Sequence, residues 1–495
     1  MLFRIAATSA VGAIVLAVLG AVTGPDWQPQ PLTDPLQVET ASTAVGGAPE
    51  RRAGEYDVAS SVVPVELDGV RVDARLIVPV DAPAPVPGVV FVHGAGTGLF
   101  EDAFVDQAHE LATAGIATLV PDKRLDTYST RHRNYVDMAA DYQFSVDLLR
   151  STEGVDPARV GIYAESEGGW VAPVMAAEDP ETAFVILASA PVVPPRQQAA
   201  FAVDAYLRNT GVPLSVFRAI PRAVGMQFPG GGFEYADFDV RPWQERTTQP
   251  VFMAYGTDDA SMPVIQGPQQ LIEDVAVAGN DQVTVRYYEG ANHGIKVDDA
   301  LADGYVRDLA TWVHGLPATA TAPPRVAGAE PVQTFLAEPV PQPRWFGDGD
   351  LVLGVVIAGA ALLVLAPLVF LGGYLARRRV RLAKGLAWPL GLFGAGCLAT
   401  VALLVWYLVA IARLALEYER NAVVVQGGWL AVRLVGLATV VALAVLVERW
   451  RVVRAEPGGA LAAGRVGYAG VWTVFVGATL LLVSLAYWGV FQLGI

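Results

Sequence analysis

Between residues 55 and 316, short apolar runs alternate with amphipathic stretches. The runs 89–92, 116–120, 160–163, 183–188, 250–255 and 283–288 are rich in Val, Ile and Phe and end in turn residues. Short, nearly continuous apolar runs of this kind predict parallel strands buried on both faces. Stretches 102–114, 135–149 and 302–313 carry the helical period instead. Strands alternating with helices predict an α/β domain, a mostly parallel sheet covered by helices on both faces. Residues 192–246 break the rhythm with Pro194, Pro195 and the run Pro229-Gly230-Gly231-Gly232. They read as a lid inserted over the sheet. Its aromatic residues, Phe201, Tyr206, Phe217, Phe228, Phe233, Tyr235, Phe238 and Trp243, either line an apolar acyl pocket or pack the lid itself.

The rest of the chain follows another pattern. Four long apolar runs, 351–375, 386–411, 429–447 and 471–491, are each near the roughly 20 residues a helix needs to cross the hydrocarbon core. Residues 1–24 combine Arg4 with an apolar stretch from Ile5 to Val22, which reads as a secretory signal or an uncleaved anchor. Segments 25–54 and 317–349, rich in Pro and Ala, read as a tether and a linker. Arg377, Arg378, Arg379, Arg381 and Lys384 follow the first long run, and Arg449, Arg451, Arg454 and Arg465 follow the third. Lys/Arg-rich loops stay in the cytoplasm, so 25–350 is expected on the outer side of a plasma membrane crossed several times. The middle loop, where Arg413 and Arg420 balance Glu417 and Glu419, suits the outside. Arg433, near the outer end of the third run, either snorkels to the interface or serves as a functional charge.

Charge sharpens this division. Residues 351–495 hold twelve Lys/Arg against four Glu, a net +8, so the first 350 residues carry −23 of the overall −15. An acidic front excludes nucleic acid as a partner, because phosphate neutralisation needs clustered cations. The single cysteine, Cys397, rules out a disulfide or Cys-based metal site within one chain. No His pair has helix-face metal spacing, so neither a metal nor a cofactor is expected.

The chemistry concentrates at strand ends. Val160-Gly161-Ile162-Tyr163-Ala164-Glu165-Ser166-Glu167-Gly168-Gly169 reads as a strand, a sharp turn and a helix, with Ser166 lifted on the turn as a nucleophile. Ala164 stands where G-x-S-x-G has its first glycine. Upstream, a strand ends in His93-Gly94-Ala95-Gly96, a turn whose backbone N–H groups suit an oxyanion. The expected donors are Ala95, or Gly94, together with Glu167, and His93 is expected to be structural. Downstream, Asp259 follows one strand, with Asp258 as the alternative acid, and His293 follows the last. The order Ser, Asp, His and the placement at strand C-terminal ends fit a triad in which Asp259 orients His293 and His293 takes the Ser166 proton. His109, His132 and His314 read as surface or packing residues. Glu165 is expected to face solvent. Glu167 is either exposed at the helix start or a group that recognises an amine or tunes His293.

With these motifs, and with Asp122-Lys123-Arg124 and Asp156-Pro157-Ala158-Arg159, residues 55–316 resemble the α/β-hydrolase superfamily. They are most similar to its exported or membrane-associated serine esterase-like branch, near dienelactone hydrolases and prolyl-oligopeptidase-type catalytic domains. Leu125 replaces the glycine usual after Asp-Lys-Arg. The resemblance implies a Ser-His-Asp hydrolase acting on an ester, thioester or amide through an acyl-enzyme. The expected partners are a small-molecule or lipid-like acyl substrate and the lipid bilayer. The alternatives are acyl transfer to an envelope acceptor and a non-catalytic membrane protein whose hydrolase-like domain only binds. The resemblance covers about half the chain and leaves the four C-terminal runs unexplained.

Overall fold

The computed structural model describes residues 1–96, 98–376, 381–416 and 419–492. Arg377, Arg378, Arg379 and Glu417 lie outside the described residues. The chain divides into two units, one of Met1–Gln28, Val203–Gly230 and Val340–Ile495, the other of Pro29–Ala202 and Gly231–Pro339.

Among the described residues, the first unit contains five helices long and apolar enough to cross a membrane: α1 (Leu2–Val22), Gly349–Leu375, Ala387–Leu414, Val423–Ala455 and Gly464–Tyr487. Two of these overrun the apolar windows. Val423–Ala455 carries Arg449, Arg451 and Arg454 in its last turns, and Gly464–Tyr487 carries Arg465 in its first. The window locates the hydrocarbon stretch, whereas a helix keeps its own hydrogen bonds into the polar interface. Small residues bring the helices together. A methyl group on Gly359 would lie 2.8 Å from Leu481, and one on Gly477 would lie 2.8 Å from the Gly359 carbonyl. α1 packs in the same bundle, and any side chain on Gly20 would collide with the Ala486 carbonyl. Below α1, the fully buried Arg222 donates to the carbonyls of Gly24, Pro25 and Tyr487. Arg433 donates to the Gln492 carbonyl, which satisfies a C-terminal acceptor.

The second unit is built on one nine-stranded sheet among the described residues. Its strands are β1 (Val58–Glu66), β2 (Arg71–Pro79), β3 (Val86–Val92), β4 (Ala117–Pro121), β5 (Val155–Glu165), β6 (Val185–Ala188), β7 (Val251–Gly256) and β8 (Val283–Tyr288). A three-residue strand, Val326–Gly328, completes it. The order is β1-β2-β4-β3-β5-β6-β7-β8 followed by Val326–Gly328, and β2 alone runs against its neighbours. Alternation along β3 divides the core. Val90 and Val92 pack with α3 (Tyr135–Arg150) and α4 (Gly168–Glu178) on one face. Val89 and Phe91 pack with α2 (Val105–Thr113) and the helix Tyr305–Gly315 on the other. Asn134 caps α3 by accepting from the N–H groups of Val136 and Asp137.

The β1–β2 hairpin and Val326–Gly328 are absent from the run of apolar segments. β1 is largely exposed and carries Ser60, Ser61 and Pro64, so it lacks the continuous apolarity of a central strand. Residues 29–54, read as a tether, lie along this unit. Glu39 N–H donates to Val326 O, and Thr40 bridges Ala327. Arg286 on β8 is fully buried and holds these loops through the carbonyls of Thr43, Ala44, Pro324 and Arg325. Proline-rich chain has carbonyls to satisfy and few N–H groups to pair them, and a guanidinium with five donors meets that need.

The interruption at 192–246 is shared between the units. Tyr235, Phe238 and Trp243 pack on the core of the second, where Phe238 lies 5.1 Å from Tyr135 and stacks at 5.1 Å on Trp243. Residues 203–230, with Tyr206, Phe217 and Phe228, belong to the first.

Candidate active site

β5 ends at Glu165 and α4 begins at Gly168, which leaves Ser166 and Glu167 to make the turn. Ser166 has φ +54°, a left-handed conformation that costs a non-glycine residue of order 1–3 kcal/mol. The turn is held by Ser166 N–H donating to Ala188 O at 3.0 Å and Gly169 N–H donating to Ser166 O at 2.8 Å. Both glycines after the turn are sterically required. A methyl group on Gly168 would sit 2.7 Å from the Val92 carbonyl oxygen, and one on Gly169 would sit 2.7 Å from Ala190 Cβ. Gly168 also accounts for the Ala164 departure. The Ala164 methyl occupies space 3.2 Å from where a Gly168 side chain would begin, so one glycine of the pair suffices.

The turn at 93–96 lies directly against Ser166, since a side chain on Gly94 would begin 3.1 Å from Ser166 Cβ. The backbone N–H groups of Ala95 and Glu167 find no acceptor among the described residues. His93 is fully buried and its Nε2 bonds to Pro121 O at 2.6 Å. Burial pushes its pKa down to about 4, so it is a neutral structural group that ties β3 to β4.

Across the sheet edge, the loops after β7 and β8 approach closely, because Gly256 leaves no room for a side chain beside Ala291 O. His293 Nδ1 donates to Asp259 Oδ2 at 2.8 Å. Asp259 Oδ1 accepts from Ser261 N–H at 2.9 Å and from Ser261 Oγ at 2.6 Å. Asp259 is buried, whereas Asp258 is exposed, so Asp259 is the acid that meets the imidazole. Burial alone would raise the Asp259 pKa, but the bonds to His293 and Ser261 lower it overall. Burial opposes the charged imidazolium of His293, and the Asp259 bond and charge, with Glu165 adding, overcome it and raise the pKa. The bonds that His293 makes to Asp259 and Ser261 all engage Nδ1 of the imidazole. Among the described residues Ser166 Oγ forms no hydrogen bond with His293. Such contacts often close only with substrate in place.

The two glutamates beside Ser166 behave differently. Against expectation, Glu165 is partly buried and does not face solvent; burial pushes its pKa up to about 7, tempered by the nearby charges of His293 and Lys296. Glu167 does not face solvent. Its carboxylate is 1% exposed and meets Lys123 Nζ at 3.1 Å, Arg133 Nη1 at 2.5 Å and Tyr128 Oη at 2.7 Å. Ser261, Tyr128 and Arg133 were not legible as site residues. Each sits in a loop with no local motif, and only the fold brings it to the site.

The sheet order with a single reversed strand, the positive-φ serine between β5 and α4, and the facing 93–96 turn define an α/β-hydrolase fold. No protein-family model matches the chain, and no curated protein matches it. Among solved structures it is similar to the dienelactone hydrolase of Anabaena variabilis at 20% identity, covering 51% of this chain and 94% of that one with a TM-score of 0.35. It is also similar to Est1E of Butyrivibrio proteoclasticus at 17% identity, covering 51% and 96%, with a TM-score of 0.36.

Proposed function

We propose that this protein is a membrane-anchored serine hydrolase that cleaves a carboxylic ester, thioester or amide through an acyl-enzyme. The observation that carries the reading is the Asp259–His293 bond at the same sheet edge as a positive-φ Ser166. Ser166 Oγ attacks the acyl carbon while His293 Nε2 takes the hydroxyl proton. The carbonyl oxygen becomes an oxyanion facing the N–H groups of Ala95 and Glu167, with Gly94 as the alternative donor. Collapse expels the leaving group, which takes the proton from His293. Water, activated by the same imidazole, then hydrolyses the acyl-Ser166 ester and releases the acid. Asp259 holds the tautomer and offsets the imidazolium charge throughout.

The five apolar helices support anchoring. Arg381 and Lys384 after the second helix, with Arg449, Arg451, Arg454 and Arg465, favour a cytoplasmic side for these ends and an extracytoplasmic side for residues 25–350. The packing of α1 in the bundle favours an anchor that is kept.

Labelling of membranes with a fluorophosphonate tests the chemistry. Wild type should label and Ser166→Ala should not, and equal labelling of both refutes the assignment. Cys397 is the sole cysteine and is buried. Single cysteines placed at Glu153 and Glu456 in a Cys397→Ala chain therefore report topology. Only the first should react with an impermeant maleimide on intact cells.

A further inference from the structure

Lys123 lies just beyond β4, and its side chain is 1% exposed. A buried ammonium is costly to keep, and the acyl-enzyme steps above make no use of it. It donates to Gly94 O at 2.8 Å and to Glu167 Oε2 at 3.1 Å, and it lies 4.2 Å from the centre of the Tyr128 ring. These two acceptors belong to the two halves of the proposed oxyanion hole. We infer that Lys123 is a positioning residue that sets the direction of both oxyanion donors. The inference rests on the hydrolase reading above.

The first half follows from peptide geometry. A trans peptide is planar, so the Gly94 C=O and the Ala95 N–H belong to one rigid unit and point in opposite directions. A bond that fixes the oxygen therefore fixes the N–H. The ammonium also draws electron density toward that oxygen, which makes the amide a stronger donor at its other end. Loss of this bond removes a charged donor from the 94–95 peptide, in a turn whose Gly94 has no side chain to resist rotation.

The second half follows from the side chain of Glu167. Its carboxylate is held by Lys123, Arg133, Tyr128 and, at 3.5 Å, Tyr135. A residue gripped at the end of its side chain cannot swing its backbone N–H away from Ser166. Two cations facing one carboxylate also leave a net positive charge behind the site, which suits the negative charge of a tetrahedral intermediate. Burial lowers the Lys123 pKa overall, and the charge and hydrogen bond of Glu167 oppose that shift.

The test uses the full chain in detergent, with active sites counted by fluorophosphonate titration run to completion. Lys123→Met keeps the length and removes the charge and donor. The kcat per titrated site on p-nitrophenyl butyrate should fall about 30- to 100-fold, below the full loss of a donor, with KM within about twofold. The inhibition constant of an alkyl trifluoromethyl ketone, whose adduct loads the oxyanion hole, should rise by the same factor. Lys123→Arg should restore most of both. A folded Lys123→Met with kcat per site and inhibition constant within about threefold of wild type would overturn the inference, as would a lost kcat with an unchanged inhibition constant. If Lys123→Met does not fold, Lys123→Gln carries the same comparison. Activity that survives Ser166→Ala would sink the hydrolase reading and this one together, whereas Ser166-dependent activity that ignores Lys123 sinks this one alone.

Discussion

Gly168→Ala is the most demanding test of the elbow. The new methyl group would lie 2.7 Å from the Val92 carbonyl oxygen, and 3.2 Å from both Ala164 Cβ and Val92 Cγ1. The first contact is some half an ångström inside van der Waals range, and it is with backbone in a strand buried on both faces. Overpacking of a well-filled core costs about 1–3 kcal/mol, and a backbone neighbour that cannot rotate away puts this case at the upper end. Relief comes from lifting α4 off β3, which moves Ser166 away from the 93–96 turn. A displacement near 1 Å costs on the order of 100-fold in rate. The assay pairs urea unfolding of the detergent-solubilised chain with the rate of fluorophosphonate labelling, and both should worsen. Ala164→Gly should lose about 1 kcal/mol of stability and keep its labelling rate, because it removes a buried methyl without touching the clash. The double variant Ala164→Gly/Gly168→Ala decides the argument. The Val92 oxygen is still in the way, so the double variant should label as slowly as Gly168→Ala. Recovery in the double variant would refute the reasoning, because it would locate the conflict at Ala164.

Three further outcomes are expected. Asp259→Asn should cut kcat/KM by about 10³–10⁴-fold in ester hydrolysis with binding retained, since an amide no longer holds the productive imidazole tautomer; a loss under tenfold would remove Asp259 from its role. Glu165→Gln should move the acid limb of the kcat/KM profile to lower pH. The rate needs neutral His293 and falls as pH drops through its raised pKa, and loss of the Glu165 negative charge lowers that pKa; a limb that moves up or stays refutes the coupling. Arg286→Met should destabilise the chain by about 3 kcal/mol or more in urea unfolding, because several buried carbonyls lose their donor together.

The likeness of residues 55–316 to an α/β-hydrolase was legible because central strands of a parallel sheet must be apolar on both faces. Strands β3 to β8 therefore stand out as runs, and their turn residues mark the edge where chemistry collects. The placement of Ser166, Asp259 and His293 just beyond strand ends was legible for the same reason. β1 was not, because an exposed edge strand carries no such run. Nor was the order of residues 29–54, whose proline-rich composition resembles free chain until Arg286 is seen donating to their carbonyls. The choice of Asp259 over Asp258 needed coordinates too, since adjacent acids are alike in sequence and differ only in which one is buried against His293. Glu167 shows the limit most clearly. Its position next to Ser166 was evident from the chain, but the direction of its carboxylate depended on Lys123, Tyr128 and Arg133, 44, 39 and 34 residues away. Local pattern determines which elements form and where turns fall. The pairing of buried charges is a property of the assembled sheet, where desolvation makes every ion find a partner from whichever strand end lies nearest.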